Sequence, residues 1–437
     1  MKKILLVGNG AREHVIAETL KRSPQDVKLY AFGKATNPGI LELAEEYQVG
    51  SLSDFTELKA FAAKIKPDFA IIGPDDPIAD GAGDALLEYD IHCASPLSIV
   101  ARLESSKSFT RDLVAKYEIP GNPKFQVFYE ENGILDFLRE LGDDYVVKAD
   151  GLAGGKGVKV AGDHLHSHDD AMEFAREAIS KHGRAIVEEK LVGPEFSLMS
   201  FADGKNIVDM PAVQDHKRAY DGDKGPNTGG MGSYSDADHS LPFLKPEHIK
   251  EAHNITQKTC EALFKETGVL FKGIMYGGFM VTKNGVRLIE YNARFGDPEA
   301  MNVLPILKTD FVEVCEAIIN GTLDRINIEF EKKATVCKYV VPEGYPDNPV
   351  KGEKIEIGEI PKGVKMYYSS VDKREDGVYM SGSRALAFVG IADSLDEAEK
   401  IAASALGCVS GPVFYRNDIG TKELIKQRID MVDEMFG

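Results

Sequence analysis

The chain has 437 residues, 43% of them hydrophobic and 28% charged, which is typical of a globular protein of about three domains. Its formal net charge of −18 argues against binding to a nucleic-acid backbone, so any anion site must be local. Five scattered cysteines form no CxxC pair, and no stretch approaches the roughly 20 apolar residues of a membrane span. We therefore expect a cytoplasmic protein without disulfides or structural zinc, and without nucleic-acid or membrane partners.

The first hundred residues alternate between strands and helices. Continuous apolar runs predict buried strands at 3–7, 27–32 and 69–72, with a short fourth strand at 91–93. This alternation predicts a small parallel α/β sheet.

A glycine turn follows the first predicted strand and precedes a predicted helix at 15–22. It contains Gly8, Asn9, Gly10, Arg12 and Glu13. Such a strand–turn–helix unit can bind an anion at the helix N-terminus. The third glycine of a dinucleotide site is missing, so a monophosphate fits better, and a purely structural tight turn is the alternative.

A second glycine-rich loop lies between two predicted strands. The strand before it carries Lys148, the loop contains Gly154, Gly155 and Lys156, and the strand at 158–161 follows. This is a hairpin and not the strand-to-helix phosphate loop of the Walker type. Backbone amides and lysines of such a hairpin can still contact phosphates, and the alternative is a flexible turn.

The flanking segments add candidate nucleotide contacts. We predict one helix over 97–116, which carries Lys107, and a strand over 185–191 that breaks before Glu195. A chain leaving a strand exposes backbone groups that an adenine edge can use, and Glu195 could hold ribose hydroxyls. Many edge strands end in this way without a ligand.

Residues 215–232 form the longest polar stretch of the chain. Asp215 can act as an acceptor or base, and Lys217 and Arg218 can bind anions. Loops of this length without secondary structure are often functional lids, so we predict a lid, with disorder as the alternative.

The segment VRLIEYNARFGDPE at 286–299 begins as a strand. Because strand side chains alternate, Glu290, Asn292 and Arg294 are predicted to project from the same face. A carboxylate and an amide oxygen suit Mg²⁺, and the guanidinium suits a carboxylate or phosphate. A solvated strand end is the alternative. Beyond residue 334, strands and a helix at 395–405 predict a third, mixed domain.

Taken in order, these elements resemble the ATP-grasp superfamily and, within it, the phosphoribosylamine–glycine ligase family. The resemblance rests on GNGAREH at 8–14, IGPDDPIADG at 72–81, SKSFTRD at 106–112, VVKADGLAGGKGV at 146–158, QDHKRAYDGDKGPNTGGMG at 214–232 and IEYNARFGDPE at 289–299. It covers all but the last third of the chain.

The resemblance implies a role for each candidate residue. Lys107 and Lys148 would contact the ATP phosphates, under a flap that contains Gly154, Gly155 and Lys156. Adenine would contact Glu188, Glu189 and Leu191, and the ribose would contact Glu195. Glu290 and Asn292 would hold Mg²⁺ or Mn²⁺. Phosphoribosylamine would face Gly8, Asn9, Gly10, Arg12, Glu13 and Asp75. The reacting centre would comprise Asp215, Lys217, Arg294 and Asp297, with Arg294 on the glycine carboxylate.

The resemblance also implies a multidomain fold of the α/β and α+β classes. We expect an N-terminal parallel α/β domain over 1–103, a two-lobed ATP-grasp domain over 104–330 with an inserted lid subdomain at 126–195, and a small mixed α/β domain over 331–437. The implied reaction joins glycine to 5-phosphoribosylamine, with ATP as co-substrate, through glycyl phosphate in purine synthesis. A monomer acting on small molecules is expected.

The chain departs from the family pattern at two substrate-side positions, since Asp75 stands where the family usually has Glu and Ser383 interrupts a GGR pattern. Met280 stands where many ATP-grasp enzymes have a further metal carboxylate. Three rival interpretations are a carboxylating or formate-using ATP-grasp ligase, an NAD-dependent dehydrogenase and a non-catalytic nucleotide sensor. The quoted motifs argue against another ATP-grasp ligase, and the missing third glycine argues against a dehydrogenase. The full set of lysines and metal ligands argues against a non-catalytic sensor.

Overall fold

The computed structural model describes residues 1–152 and 157–436. It contains parallel and antiparallel sheets with helices packed against them, which confirms the predicted multidomain α/β and α+β fold class. Among the described residues, no helix is long and apolar enough to cross a membrane. All five cysteines are free thiols.

The N-terminal part is a four-stranded parallel sheet in the order β3-β2-β1-β4. Its strands are β1 (Lys2–Val7), β2 (Val27–Gly33), β3 (Glu46–Val49) and β4 (Phe69–Ile72). Its helices are α1 (Ala11–Lys21), α2 (Pro38–Leu43), α3 (Thr56–Ile65), α4 (Asp75–Ala79) and α5 (Ala82–Leu87). The parallel sheet confirms the prediction from sequence.

The predicted strand at 91–93 is wrong. Only an isolated parallel bridge joins Cys93 to Ala70 of β4. The chain then turns away, and the side-chain hydroxyl of Ser95 bonds the amide and carbonyl of Ile72, at 2.9 and 3.1 Å. A side chain therefore takes the place of a strand ladder at this edge.

The single helix predicted over 97–116 is two helices, α6 (Ser98–Ser105) and α7 (Lys107–Lys116). Ser106 between them has an extended backbone, and its hydroxyl accepts a hydrogen bond from the amide of Phe109 at 3.2 Å. Serine is a favoured N-cap, so the break starts a new helix whose first residue is Lys107.

The next segment is an antiparallel sheet in the order β5-β8-β6-β7, covered by two helices. Its elements are β5 (Phe125–Phe128), α8 (Ile134–Leu141), β6 (Tyr145–Ala149), β7 (Val158–Val160), α9 (His168–His182) and β8 (Ala185–Glu189). β6 and β7 pair antiparallel, as the predicted glycine hairpin requires. The predicted phosphate contacts Gly154, Gly155 and Lys156 lie outside the described residues.

Residues 195–320 form a second antiparallel sheet, in the order β10-β9-β15-β16, with a polar insertion and three helices. The strands are β9 (Glu195–Ala202), β10 (Ile207–Asp209), β11 (Gln214–Asp215), β12 (Arg218–Tyr220), β13 (Lys224–Asn227), β14 (Gly232–Ser235), β15 (Gly273–Thr282) and β16 (Gly285–Asn292). The helices are α10 (Pro246–Thr267), α11 (Ala300–Val303) and α12 (Phe311–Asn320).

The expectation that residues 215–232 lack secondary structure is wrong, whereas their role as a lid stays a prediction. β12 and β13 form an antiparallel hairpin, while β11 and β14 pair with each other at its base. The polar composition hid these strands because the hairpin projects from the core and buries little apolar surface.

The C-terminal part contributes two sheets. Its elements are β17 (Ala334–Pro342), β18 (Lys354–Ile357), β19 (Lys365–Tyr368), β20 (Val371–Arg374), β21 (Gly377–Met380), β22 (Leu386–Ala392), α13 (Leu395–Ala403), β23 (Val409–Ser410), β24 (Val413–Tyr415) and α14 (Lys422–Phe436). One sheet has the order β11-β14-β17-β22-β19, with β24 also on β17, so it joins strands from both sides of residue 330. The other has the order β20-β21-β18-β23.

A buried histidine joins the N-terminal helix α1 to the C-terminal part. The Nδ1 atom of His14 accepts a hydrogen bond from the amide of Tyr368 at 3.0 Å, and its ring stacks on the Tyr368 ring. Burial lowers the pKa of His14 to about 4. The imidazole is therefore neutral at physiological pH and accepts this hydrogen bond.

His14 should make the fold sensitive to mild acid. An unfolded histidine has a pKa near 6.5, so the unfolded chain binds more protons between pH 6.5 and 4, and the stability present above pH 6.5 is lost as the pH falls. We expect wild type to lose about 2 kcal/mol more than His14→Asn between pH 7 and 4.5, because asparagine can accept the same bond without titrating. Urea unfolding of both proteins at the two pH values measures the difference. Equal losses would contradict the assignment.

The packing of α13 on β22 requires a glycine. A Cβ atom at Gly390 would lie 1.9 Å from the carbonyl oxygen of Ala398. Gly390→Ala should therefore lower the free energy of unfolding by about 1–3 kcal/mol or more through overpacking. The matched control is Gly407→Ala, because a Cβ there meets nothing within 4 Å. Thermal unfolding checks this, and equal midpoints for the two variants would refute the packing argument.

Candidate active site

One cavity of about 1260 Å³ lies where the N-terminal sheet, both antiparallel sheets and the C-terminal part meet. Most of the residues predicted from sequence line it. They are Arg12, Asp75, Lys107, Lys148, Glu188, Glu189, Leu191, Glu195, Asp215, Lys217, Glu290, Asn292, Arg294 and Asp297. The structure brings these side chains together from segments far apart in the chain, while their individual roles remain predictions.

The glycine turn after β1 is filled by its own glutamate. Glu13 accepts a hydrogen bond from the amide of Gly10 at 2.6 Å and pairs with Arg12 at 2.7 Å. A Cβ at Gly8 or Gly73 would lie 2.6 or 2.0 Å from Glu13, so both glycines make room for this side chain. Arg12 lines the cavity, whereas the predicted substrate residues Gly8, Asn9, Gly10 and Glu13 are not among its lining residues.

Lysines and a buried carboxylate form the end of the cavity near β6 and β8. Lys148 pairs with Glu188 at 2.7 Å, and Lys107 donates to the carbonyl of Gly151 at 2.8 Å. Burial lowers the pKa of Lys148. Burial raises the pKa of Glu188, but Arg111 and Lys148 outweigh this and hold it at about 2. The carboxylate of Glu188 is therefore ionised and holds two cations beside the cavity.

The predicted metal ligands lie on the edge strand β16. Glu290 and Asn292 both line the cavity, and the Nζ atom of Lys217 lies 3.6 Å from the Glu290 carboxylate. Burial raises the pKa of Glu290, but Lys217, Lys107, Lys148 and nearby Arg294 more than offset this and leave it below the usual value. Glu290 is thus an ionised oxygen donor in a cationic environment.

Arg294 is held by a carboxylate that sequence reasoning missed. Glu104 of α6 pairs with Arg294 at 2.9 Å and accepts the amide of Ala293 at 2.8 Å. Arg294 also donates to the side-chain oxygen of Asn292 at 3.1 Å. Its buried Nε has no partner among the described residues, so the guanidinium keeps a donor available for an acidic group.

The C-terminal part supplies groups around Asp297. Arg384 pairs with Asp297 at 3.2 Å, and the hydroxyl of Tyr339 donates to the same carboxylate. Arg384 also donates to the carbonyls of Gly229 and Gly230 at 2.9 and 3.1 Å. Arg384 therefore holds both the base of the hairpin and Asp297, which is a predicted catalytic carboxylate.

Two further acids, Asp215 and Glu299, line the cavity. Burial and the charge of Glu299 raise the pKa of Asp215, and burial also raises the pKa of Glu299. The hydroxyl of Tyr276 donates to Glu299 at 2.8 Å. Lys217 and Arg384 lower the pKa of Asp215 only in part. A carboxylate with a raised pKa accepts a proton more readily than an ordinary one, which suits a group that takes part in proton transfer.

The β12–β13 hairpin is fixed by the C-terminal part through a buried arginine. Arg416 pairs with Asp223 at 3.0 Å and with Asp418 at 2.8 Å. Arg428 of α14 also pairs with Asp223, and the Gly222 amide donates to Asp418 at 2.8 Å. These bonds hold the hairpin that carries Lys217 at its base.

Several functional candidates were absent from the predictions. They are Glu104, Arg111, Tyr276, Glu299, Tyr339, Arg384 and Arg416, all of which contact predicted site residues or the hairpin. Arg111 and Glu299 stand inside the motifs SKSFTRD and RFGDPE, which could have indicated them. Glu104 carries no such signal, because a glutamate in a helix usually faces solvent.

Family models match the chain in three consecutive segments. The model described as phosphoribosylglycinamide synthetase, N domain, matches residues 2–104. The ATP-grasp (A) domain model of the same synthetase matches 105–300, and the C domain model matches 335–422.

Curated relatives match over nearly the full length. The chain is 51% identical to the phosphoribosylamine–glycine ligase of Methanococcus vannielii, with 99% of this chain and 100% of that protein aligned. It is 50% identical to the enzyme of the same name from Methanocaldococcus jannaschii, with 99% of each chain aligned.

Solved structures agree with the fold. The phosphoribosylamine–glycine ligase of Thermotoga maritima has a TM-score of 0.80 at 28% identity and covers 95% of this chain and 100% of its own. The biotin carboxylase domain of the Hydrogenobacter thermophilus 2-oxoglutarate carboxylase has a TM-score of 0.76 at 16% identity, covers 100% and 98% of the two chains, and shares the ATP-grasp fold alone. By its family models and its full-length relatives, the chain belongs to the phosphoribosylglycinamide synthetase family.

Proposed function

We propose that this protein joins glycine to 5-phosphoribosylamine, consuming ATP and releasing glycinamide ribonucleotide, ADP and phosphate. The observation that carries the proposal is that one cavity holds both a nucleotide-type set (Lys107, Lys148 and Glu188) and a set suited to acidic substrates (Arg12 and Arg294). Glu290 lies between them on β16. The full-length relatives bearing the name phosphoribosylamine–glycine ligase support the choice of substrates.

The residues on β16 fit a divalent metal of the Mg²⁺ or Mn²⁺ type. Mg²⁺ takes oxygen ligands, few of them from protein and the rest from phosphate and water. Glu290 and Asn292 supply two such oxygens, and no cluster of three or more acidic, His or Cys ligands occurs in the described part of the chain. When bound there, the metal would neutralise charge on the transferred phosphoryl group.

The residues of the chain divide the first step among them. Arg294 binds the glycine carboxylate, so that one carboxylate oxygen attacks the γ-phosphorus of ATP and the bond to the ADP oxygen breaks. Phosphoryl transfer depends on positioning and charge neutralisation, which Lys107, Lys148 and Lys217 provide around the phosphates. The product is glycyl phosphate.

In the second step the amine of phosphoribosylamine attacks the glycyl carbonyl carbon, and the carbon–oxygen bond to phosphate breaks. Arg12 and Asp75 position the ribosyl substrate at the mouth of the α1 turn. The attacking amine loses a proton, and Asp215, whose pKa is raised by burial and by the charge of Glu299, accepts it. The cavity walls and the hairpin limit the access of water to glycyl phosphate.

Three finer expectations belong to this proposal. The metal is Mg²⁺ or Mn²⁺, the protein acts as a monomer, and it resides in the cytoplasm. The last expectation rests on the absence of a CxxC pair and the scattered thiols of the sequence.

Phosphate release from Mg-ATP tests the reaction directly. We expect release to require glycine together with phosphoribosylamine, which ribose 5-phosphate and ammonia generate in place, and to fall to background with alanine, because the chemistry needs both reactants bound. Product mass identifies glycinamide ribonucleotide. Release that depends on formate or bicarbonate instead of glycine would keep the fold and overturn the substrate assignment.

Glu290→Gln tests the metal assignment. The substitution keeps the shape of the side chain but removes its charge, so kcat/KM should fall about 100-fold or more with the fold intact. The control is Glu177→Gln on the exposed face of α9. Steady-state rates across a Mg²⁺ series measure the effect. If the variant has the wild-type rate and the wild-type Mg²⁺ requirement, Glu290 is not a metal ligand.

A further inference from the structure

The strand that carries Glu290 has a bulge at the residue before it. In the pairing of β16 with β15, Glu290 opposes Gly278 and Leu288 opposes Phe279, so Ile289 is an extra residue without a partner. A bulge shifts the alternation of side chains by one residue. Ile289 and Glu290 are consequently both partly exposed and line the cavity, although they are consecutive, whereas Leu288 before them and Tyr291 after them are buried.

The bulge also turns two successive carbonyl groups toward the same side, away from β15. β16 is the edge strand of its sheet, so no further strand can bond these carbonyls. Arg111 of α7 takes this place. Its Nη1 donates to the carbonyl of Leu288 at 3.1 Å, and its Nη2 donates to the carbonyl of Ile289 at 2.6 Å.

The same guanidinium binds the nucleotide end of the cavity. Its Nε and Nη2 donate to the two oxygens of Glu188, at 2.6 and 3.0 Å. Lys148 completes the arrangement, since its Nζ contacts Glu188 and also donates to the carbonyl of Ile289 at 3.3 Å. The side chain of Arg111 is only 3% exposed. A planar fork with five donors can bridge a carboxylate and two carbonyls, whereas a lysine ammonium cannot.

We propose that Arg111 is a positioning residue that holds the bulge of β16 and thereby directs Glu290 into the cavity while joining β16 to Glu188 on β8. This inference rests on the proposed function, in which Glu290 is a metal ligand. It goes further by assigning to α7 the link between the nucleotide end and the metal end of the site. Arg111 itself does not touch the reacting atoms.

The competing explanation is that Arg111 only neutralises the buried charge of Glu188. The two explanations differ in what a lysine can replace. Arg111→Lys keeps the positive charge but loses the fork that reaches both carbonyls. A neutralising role therefore predicts a variant close to wild type, and a positioning role predicts a displaced Glu290.

The first measurement is Mn²⁺ binding in the presence of a non-hydrolysable ATP analogue. The electron paramagnetic resonance signal of free Mn²⁺ reports how much of the ion is bound. For Arg111→Lys we expect the Mn²⁺ dissociation constant to rise about 10-fold or more, which is the range for losing an outer-shell partner of a metal ligand. The matched control is Arg102→Gln, an exposed arginine of the neighbouring helix α6 that stacks on Phe109. Equal constants for Arg111→Lys and Arg102→Gln would overturn the proposal.

The second measurement needs no metal or turnover. Hydrogen–deuterium exchange of a peptide covering residues 286–292 should be faster in Arg111→Lys than in the control, because the bulge loses its bonds. Since both readouts are independent of glycine, they judge Arg111 even if phosphate release shows that the proposed substrates are wrong.

A double variant guards against failure of the fold. Arg111→Gln with Glu188→Gln removes both members of this buried ion pair, and Lys148, which also pairs with Glu188, keeps the carbonyl of Ile289 and the nearby charge of Glu290 as partners. We expect it to stay folded, by its thermal midpoint, and still to show the faster exchange at 286–292. A folded double variant with wild-type exchange in this peptide would contradict the role of Arg111 in holding the bulge.

Discussion

The arrangement of this site depends on the free-energy cost of removing charged groups from water. Five cations at the cavity have a carboxylate behind them: Glu13 for Arg12, Glu188 for Arg111 and Lys148, Glu104 for Arg294, and Asp297 for Arg384. A buried charge without a partner is strongly destabilising, whereas a paired one can be retained. The buried Nε of Arg294 has no partner among the described residues, so this cation keeps a donor for an anionic group.

This constraint also explains how a protein with a net charge of −18 can bind anions. The excess acidic residues are distributed over the surface and are screened within about 8–10 Å at physiological salt. Inside the cavity, Lys217 lies between Glu290 and Glu195, and Arg294 lies between Glu104 and Asn292. Local arrangement therefore decides the sign of the potential that a substrate meets.

Much of the fold follows from sequence because its strands and helices carry strong local patterns. The parallel sheet and the antiparallel pairing of β6 with β7 appear where apolar periodicity and glycine placement indicate them. The quoted motifs also bring most of the predicted residues to one cavity. The features that the sequence did not predict depend on contacts between distant segments of the chain. Glu104 lies opposite Arg294 only after α6 packs beside β16, and the bulge at Ile289 depends on Arg111. The hairpin at 218–227 has polar strands because the C-terminal part, not an apolar core, holds it.

The attachment of the hairpin to the end of the chain sets an order of assembly during synthesis. Asp223 meets Arg416, which lies 193 residues further along the chain, and β14 pairs with β17 from beyond residue 330. Domains generally fold as they emerge from the ribosome, N-terminal part first. The parallel sheet and the β5–β8 sheet can form early, but the hairpin with Lys217 at its base lacks its contacts with Arg416 and Arg428 until the last strand and α14 have left the exit tunnel. A nascent chain can therefore bury most of its core before it possesses a complete site, so a truncated product would lack the arrangement that activates glycine.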